Sequence, residues 1–175
     1  MKKLLALLLV LATAFSFAAC GGEESAVKVA VDEGLTAIKN FDQQGIEKYF
    51  VGKGLGEETL QATGVDQAKA IFSTLSWEIE EYTEEGNTAV ATVEITAASF
   101  ADVMNRLAKE VMEKAKNGEF IEDLDAYTLE RMSDIVKDKD TKTVSVTVDF
   151  VLEKTDEQWK ITNPDGILAV FTSGQ

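Results

Sequence analysis

Residues 143 to 162 constrain the fold more than any other stretch of the chain. Val144, Val146, Val148, Phe150 and Leu152 alternate with Thr143, Ser145, Thr147, Asp149 and Glu153. An apolar residue at every second position gives a strand with one dry face and one wet face. Lys154 to Gln158 supplies a polar turn, after which Trp159 and Ile161 alternate with Lys160 and Thr162. The segment therefore predicts an antiparallel hairpin whose apolar face needs a layer to cover it.

A second hairpin is predicted upstream. Leu75, Trp77 and Ile79 alternate with Ser76, Glu78 and Glu80, and Ala89, Ala91, Val93, Ile95 and Ala97 alternate with Val90, Thr92, Glu94 and Thr96. Thr83 to Asn87 is the expected turn. The rest of the chain follows the helical period. Val27, Ala30, Val31, Ile38 and Phe41 form an amphipathic stripe over 26–41. Asp42 reads as the N-cap of a short helix that turns Ile46, Tyr49 and Phe50 inward. Gly52, Gly54 and Gly56 mark a loop, and short helical pieces are expected over 57–62 and 66–74.

Between the hairpins lies a helical pair. Ser99 and Asp102 form a capping-box pattern ahead of an apolar stripe of Phe100, Val103, Met104, Leu107, Val111, Met112 and Ala115, with the methionines read as core filling. Asn117-Gly118 ends that helix, and a second is expected over 120–137, using Ile121, Leu124, Tyr127, Met132 and Ile135. The fold class is α+β: N-terminal helices packed on a curved antiparallel sheet, with the helical pair inserted between two hairpins.

The first twenty residues carry an address. Lys2 and Lys3 precede a run of 16 apolar or small residues, Leu4 to Ala19, which ends in Phe17-Ala18-Ala19 before Cys20. That run is short for a membrane span, whereas a basic start, an apolar stretch and small residues make a secretory signal. The segment resembles a bacterial lipoprotein signal, with Phe17 where leucine is most often found. Its expected products are a signal peptide at 1–19, a lipidated Cys20 with a short tether over 20–25, and a single domain over 26–175. The expected location is the cell envelope, on the outer face of the bacterial cytoplasmic membrane. Cys20 is the only cysteine, so a disulfide within the chain has no second thiol.

The chain holds 31 acidic and 17 basic residues, a formal charge of −14 that becomes −16 once Lys2 and Lys3 are removed. Such a charge argues against nucleic acid and against anionic head groups as partners, and favours a well-solvated surface. Two acyl chains would hold the protein at a membrane despite it.

The order of helices, hairpin, helical pair and hairpin is similar to that of the nuclear-transport-factor-2-like (cystatin-like) family. The resemblance rests on Ile38-Lys39-Asn40-Phe41-Asp42 leading to Tyr49-Phe50, and on Val144 to Thr162 with Glu157-Gln158-Trp159-Lys160-Ile161. It covers roughly residues 26 to 163, and the helical pair departs from the minimal pattern. It implies a cone-like sheet, and a domain that bacterial lipoproteins often carry. The concave face of such a sheet takes small apolar ligands or protein contacts, and these domains often dimerise through the open sheet face.

Chemistry is sparse. With no histidine in the chain, imidazole bases, the usual triads and most zinc sites are excluded. Isomerases of the resembled fold use an aspartate base beside tyrosine and protonated-acid donors, and Asp149, Tyr82 and Tyr49 are the residues that could imitate that set. Solvation of Asp149 and a core role for Tyr49 are the stronger expectation, so no catalytic residue is assigned. Glu122-Asp123-Leu124-Asp125 and Asp138-Lys139-Asp140 lack calcium-loop spacing, so no metal and no cofactor is expected. Trp77, Ile79, Ala89, Ala91 and Phe150 would line a ligand site on the concave face, although an ordinary core explains them and is the stronger expectation. The expected function is a non-catalytic accessory module that binds a small apolar ligand or an envelope protein, with a homodimer among its partners. The alternative is an isomerase- or hydrolase-like enzyme with a carboxylate in the cone.

Overall fold

The apolar alternation of the two hairpins becomes a single four-stranded antiparallel sheet in the order β1-β2-β3-β4. The protein is seen here as a computed structural model that describes residues 25–52 and 65–172. The signal segment, Cys20, most of the tether, Gly54, Gly56 and the helical piece expected over 57–62 lie outside the described residues.

Helix α1 spans Ala26–Asn40 and starts where the Ser25 side chain accepts the Val27 N–H. Helix α2 spans Gln43–Tyr49, and Asp42 caps it by accepting the Gln44 N–H at 3.1 Å. Gly45 stands where α2 crosses α1. A Cβ there would sit 2.6 Å from Cβ of Ala37, so only glycine permits the approach. Helix α3 covers Val65–Phe72.

Strands β1 (Ser76–Glu85) and β2 (Thr88–Ala98) form the first hairpin. Its turn is tighter than the expected Thr83–Asn87, because pairing continues to Glu85↔Thr88. Gly86, with φ 64°, takes the first central position that a type II′ turn requires. A bulge between Ile79 and Glu81 shifts the register, and bulges of this kind bend and twist a strand. Strand β3 (Thr143–Thr155) pairs with β2 along its length, and β4 (Gln158–Ile161) closes the second hairpin. A 3₁₀ turn over Pro164–Leu168 and helix α6 (Ala169–Thr172) follow. The sheet is curved, with helices before it, as the resemblance implies, and a helical pair lies between its hairpins.

The helical pair is α4 (Phe100–Lys116) and α5 (Leu124–Ile135). Half of the Ser99 capping box forms. Ser99 Oγ accepts the Asp102 N–H, while Asp102 accepts the Lys142 N–H instead of returning to Ser99. Several expectations fail in this region. Helix α5 starts at Leu124, because Asp123 caps it by accepting the Ala126 N–H at 2.9 Å. Phe120 is thereby left outside the helix and 88% exposed. Met104 and Met112 do not fill a core, at 39% and 63% exposure, because only Val103 and Leu107 on α4 are buried.

Two apolar clusters result. The larger lies between the concave sheet face and α1, α2, α3, the 3₁₀ turn and α6, and contains Leu35, Ile38, Phe50, Phe150, Leu152 and Ile161. The smaller joins Ile71, Ala98, Val103, Leu107, Met132 and Ile135. Fully burying side chains of this size contributes about 1.5–3 kcal/mol each.

Candidate functional site

The concave face is built by the strand period itself. On β3, Val148, Phe150 and Leu152 are buried while Thr147, Asp149 and Val151 face outward. Phe150 pairs in register with Ala91 and Leu152 with Ala89. All four belong to the larger cluster with Leu35, Ile167 and Val170, and both α1 and α6 pack against β2. The room left by the two alanines is therefore taken by helices.

Of the five residues expected to line a ligand site, Ala89, Ala91 and Phe150 are buried, at 3% exposure or less. Trp77 and Ile79 are half-buried on β1. The Trp77 Nε1–H donates to Asp32 Oδ1 at 2.7 Å, and Lys39 Nζ lies 6.0 Å from the Trp77 ring centroid. Lys28 Nζ is 5.6 Å from the Tyr82 ring. One face of α1 thus closes over the aromatic margin of β1. Asp32 is 45 residues from Trp77, and no local pattern announces their pairing.

The three residues considered for catalysis do not converge. Asp149 lies on the outer face and accepts the Thr92 hydroxyl at 2.7 Å. Tyr82 pairs with Ala91 on the concave side. Tyr49 ends α2, where Lys48 Nζ donates to its hydroxyl at 2.7 Å. That contact and the phenol's field hold the Lys48 ammonium above its ordinary pKa.

One carboxylate in each run has a structural role. Asp123 caps α5, and Asp138 accepts from Arg106 at 2.6 Å and from the Asp140 N–H at 2.9 Å. Among the described residues, no group of three or more acidic or thiol side chains could hold a metal ion. Every buried side-chain nitrogen or oxygen described here has a hydrogen-bond partner.

Two surface hollows lie away from the concave face, one between α3 and α5 and one on the helical pair. One, of about 290 Å³, is lined by Val65, Asp66, Gln67, Asp125, Ala126 and Leu129. The other, of about 340 Å³, is bordered by an ion-pair network. There Arg131 grips Glu110 with two hydrogen bonds, at 2.7 and 3.0 Å, and also reaches Asp134 at 2.7 Å. The Arg131 hydrogen bonds hold the Glu110 carboxyl below the usual range; burial opposes them, and the Arg131 charge adds a smaller lowering. Lys114 pairs with Glu119 at 2.6 Å beside the Tyr127 ring. Sequence spacing offers Arg131 no helical partner at Asp125, and its bidentate partner is supplied by the facing helix.

No family model matches the chain, and no curated protein matches it. Solved structures similar to it include a candidate ketosteroid isomerase from Shewanella frigidimarina NCIMB 400. It is 14% identical, with a TM-score of 0.42, and the match covers 79% of this chain and 92% of that one. A second is an NTF-2 like protein of unknown function from Shewanella oneidensis MR-1, also 14% identical, with a TM-score of 0.42 and coverage of 78% and 92%. A third is a candidate lipoprotein (YcdA) from Bacillus subtilis subsp. subtilis strain 168, 14% identical with a TM-score of 0.47. The match takes in 85% of this chain and about half, 47%, of that protein. Among the described residues, no helix is long and apolar enough to cross a membrane.

Proposed function

We propose that the protein is a lipid-anchored, extracytoplasmic accessory module that acts through protein contacts rather than catalysis. The observation that carries this reading is the filled concave face. Phe50, Phe150, Leu35, Ile38, Leu152 and Ile161 occupy the space between the sheet and its helices at 1% exposure or less. A small-molecule site needs a hollow with a few convergent polar groups, and those residues leave the face apolar and closed. Asp149, the carboxylate that an isomerase-like reaction would use, belongs to the opposite face of the sheet.

The anchor is Cys20. Two acyl chains suffice for stable attachment, where one gives only reversible binding. The chain from Cys20 to Ser25 reaches at most about 17 Å when extended, so the domain works close to its bilayer. Growth with labelled palmitate tests the anchor: label is expected in the full chain and absent from Cys20→Ala. Equal labelling of both, or of neither, contradicts it.

A further inference from the structure

From two faces of opposite character that no other described residues cover, we infer that copies of this chain associate head to tail, the outer face of α4 resting on the outer face of the sheet of the next copy. The inference rests on the accessory-module reading and names the contact through which that module works.

The α4 face is anomalous in so acidic a chain. Asn105, Lys109, Met112 and Lys116 follow i, i+4, i+7 and i+11 spacing, one stripe of a helix, and all four are exposed. Met104 and Ala108 adjoin them, and Phe120 lies just beyond the helix end. Arg106 and Lys114 are paired with Asp138 and Glu119, whereas Lys109 and Lys116 enter no ion pair among the described residues. The stripe is basic around Met112, flanked by Met104 and Ala108, with Glu113 at its rim.

The sheet's outer face is the complement. Val90 and Val151 are direct cross-strand partners, each 39% exposed. Glu81, Glu94, Asp149 and Glu153 share that face, none in an ion pair among the described residues, and Lys160, the register partner of Glu153, donates its Nζ to the Glu47 carbonyl. An apolar centre with a charged rim is the anatomy of a contact surface.

A symmetric pairing of this face with itself would oppose carboxylate to carboxylate. Lysine from α4 relieves that repulsion, and at physiological salt only charges within about 8 Å decide the outcome, whatever the net charge. Two different faces meeting give a heterologous contact, which propagates rather than closing as a dimer. A helix laid on a sheet is a small contact beside the roughly 1,200–2,000 Å² of standing complexes. Confinement to one membrane supplies the effective concentration it needs.

The test uses the full chain in bacterial membranes, treated with a short bis-maleimide. Met112→Cys and Val151→Cys replace exposed side chains, and the parent chain with Cys20 alone is the control. The chain carrying both substitutions is expected to give a ladder of cross-linked multimers, and each single substitution none. Lys109→Glu with Lys116→Glu should cut the ladder at least tenfold, and adding Glu94→Lys with Asp149→Lys should restore it. Dimers from Val151→Cys alone, or no ladder from the double variant, overturn the inference. Loss of palmitate from Cys20 would sink the anchor and leave the contact to stand or fall by the ladder.

Discussion

Single side chains take over wherever the backbone ladder runs out. Strand β4 stops at Ile161, and the Asn163 amide continues its pairing: Oδ1 accepts the Val151 N–H and Nδ2 donates to the Asp149 carbonyl, both at 2.8 Å. Removing one partner of a backbone group costs about 1–3 kcal/mol where the group is buried, and less where water replaces it. Asn163→Ala is therefore expected to lower unfolding stability by about 1–2 kcal/mol, measured by urea denaturation. An unchanged midpoint would contradict that role. Nothing in the sequence marks Asn163 out from other polar residues after a strand. Its use depends on where β4 ends, which is set by the tight turn at Asp156 and Glu157, both at positive φ.

At the scale of elements, the strands were legible and the helical pair only partly so. A strand of period 2 displays its buried face directly, and Val148, Phe150, Leu152, Trp159 and Ile161 are inside as their alternation requires. An apolar helical stripe says only that some of its members are buried. On α4 the stripe was too wide: one inner row, Val103 and Leu107, meets α5 and β2, and Met104 and Met112 are left to solvent. The Arg131–Glu110 clamp between α4 and α5 was illegible because it joins side chains 21 residues apart. It has a pH signature. Glu110 has a depressed pKa in the folded protein, so its contribution to stability is present above the pKa of a free glutamate and is lost as pH falls through the folded value. The protection factors of α5 amides, meaning exchange rates corrected for the intrinsic rate at each pH, are expected to fall between about pH 6 and about pH 3. Arg131→Met should flatten that difference. An equal difference in both proteins would assign the pH dependence elsewhere.

The whole molecule separates a closed side from an open one. Helices α1, α2 and α6 and the 3₁₀ turn all pack on the concave face of the sheet, and the acidic outer face carries no described element. The five residues expected from sequence to line a ligand site do share that concave face, which was readable from alternation. Whether a concave face holds a ligand or a core depends on what the remaining elements bring to it. Here Leu35, Phe50, and Ile167 with Val170 arrive from three separate segments, a convergence that no local pattern encodes. On this reading the space is core and not pocket. Native mass spectrometry of the full chain, extracted from membranes in mild detergent, tests it most directly. The account predicts one species: the chain from Cys20 with its lipid, and no further bound molecule. A co-purifying apolar ligand that is retained by this protein and released by Phe150→Ala would contradict it.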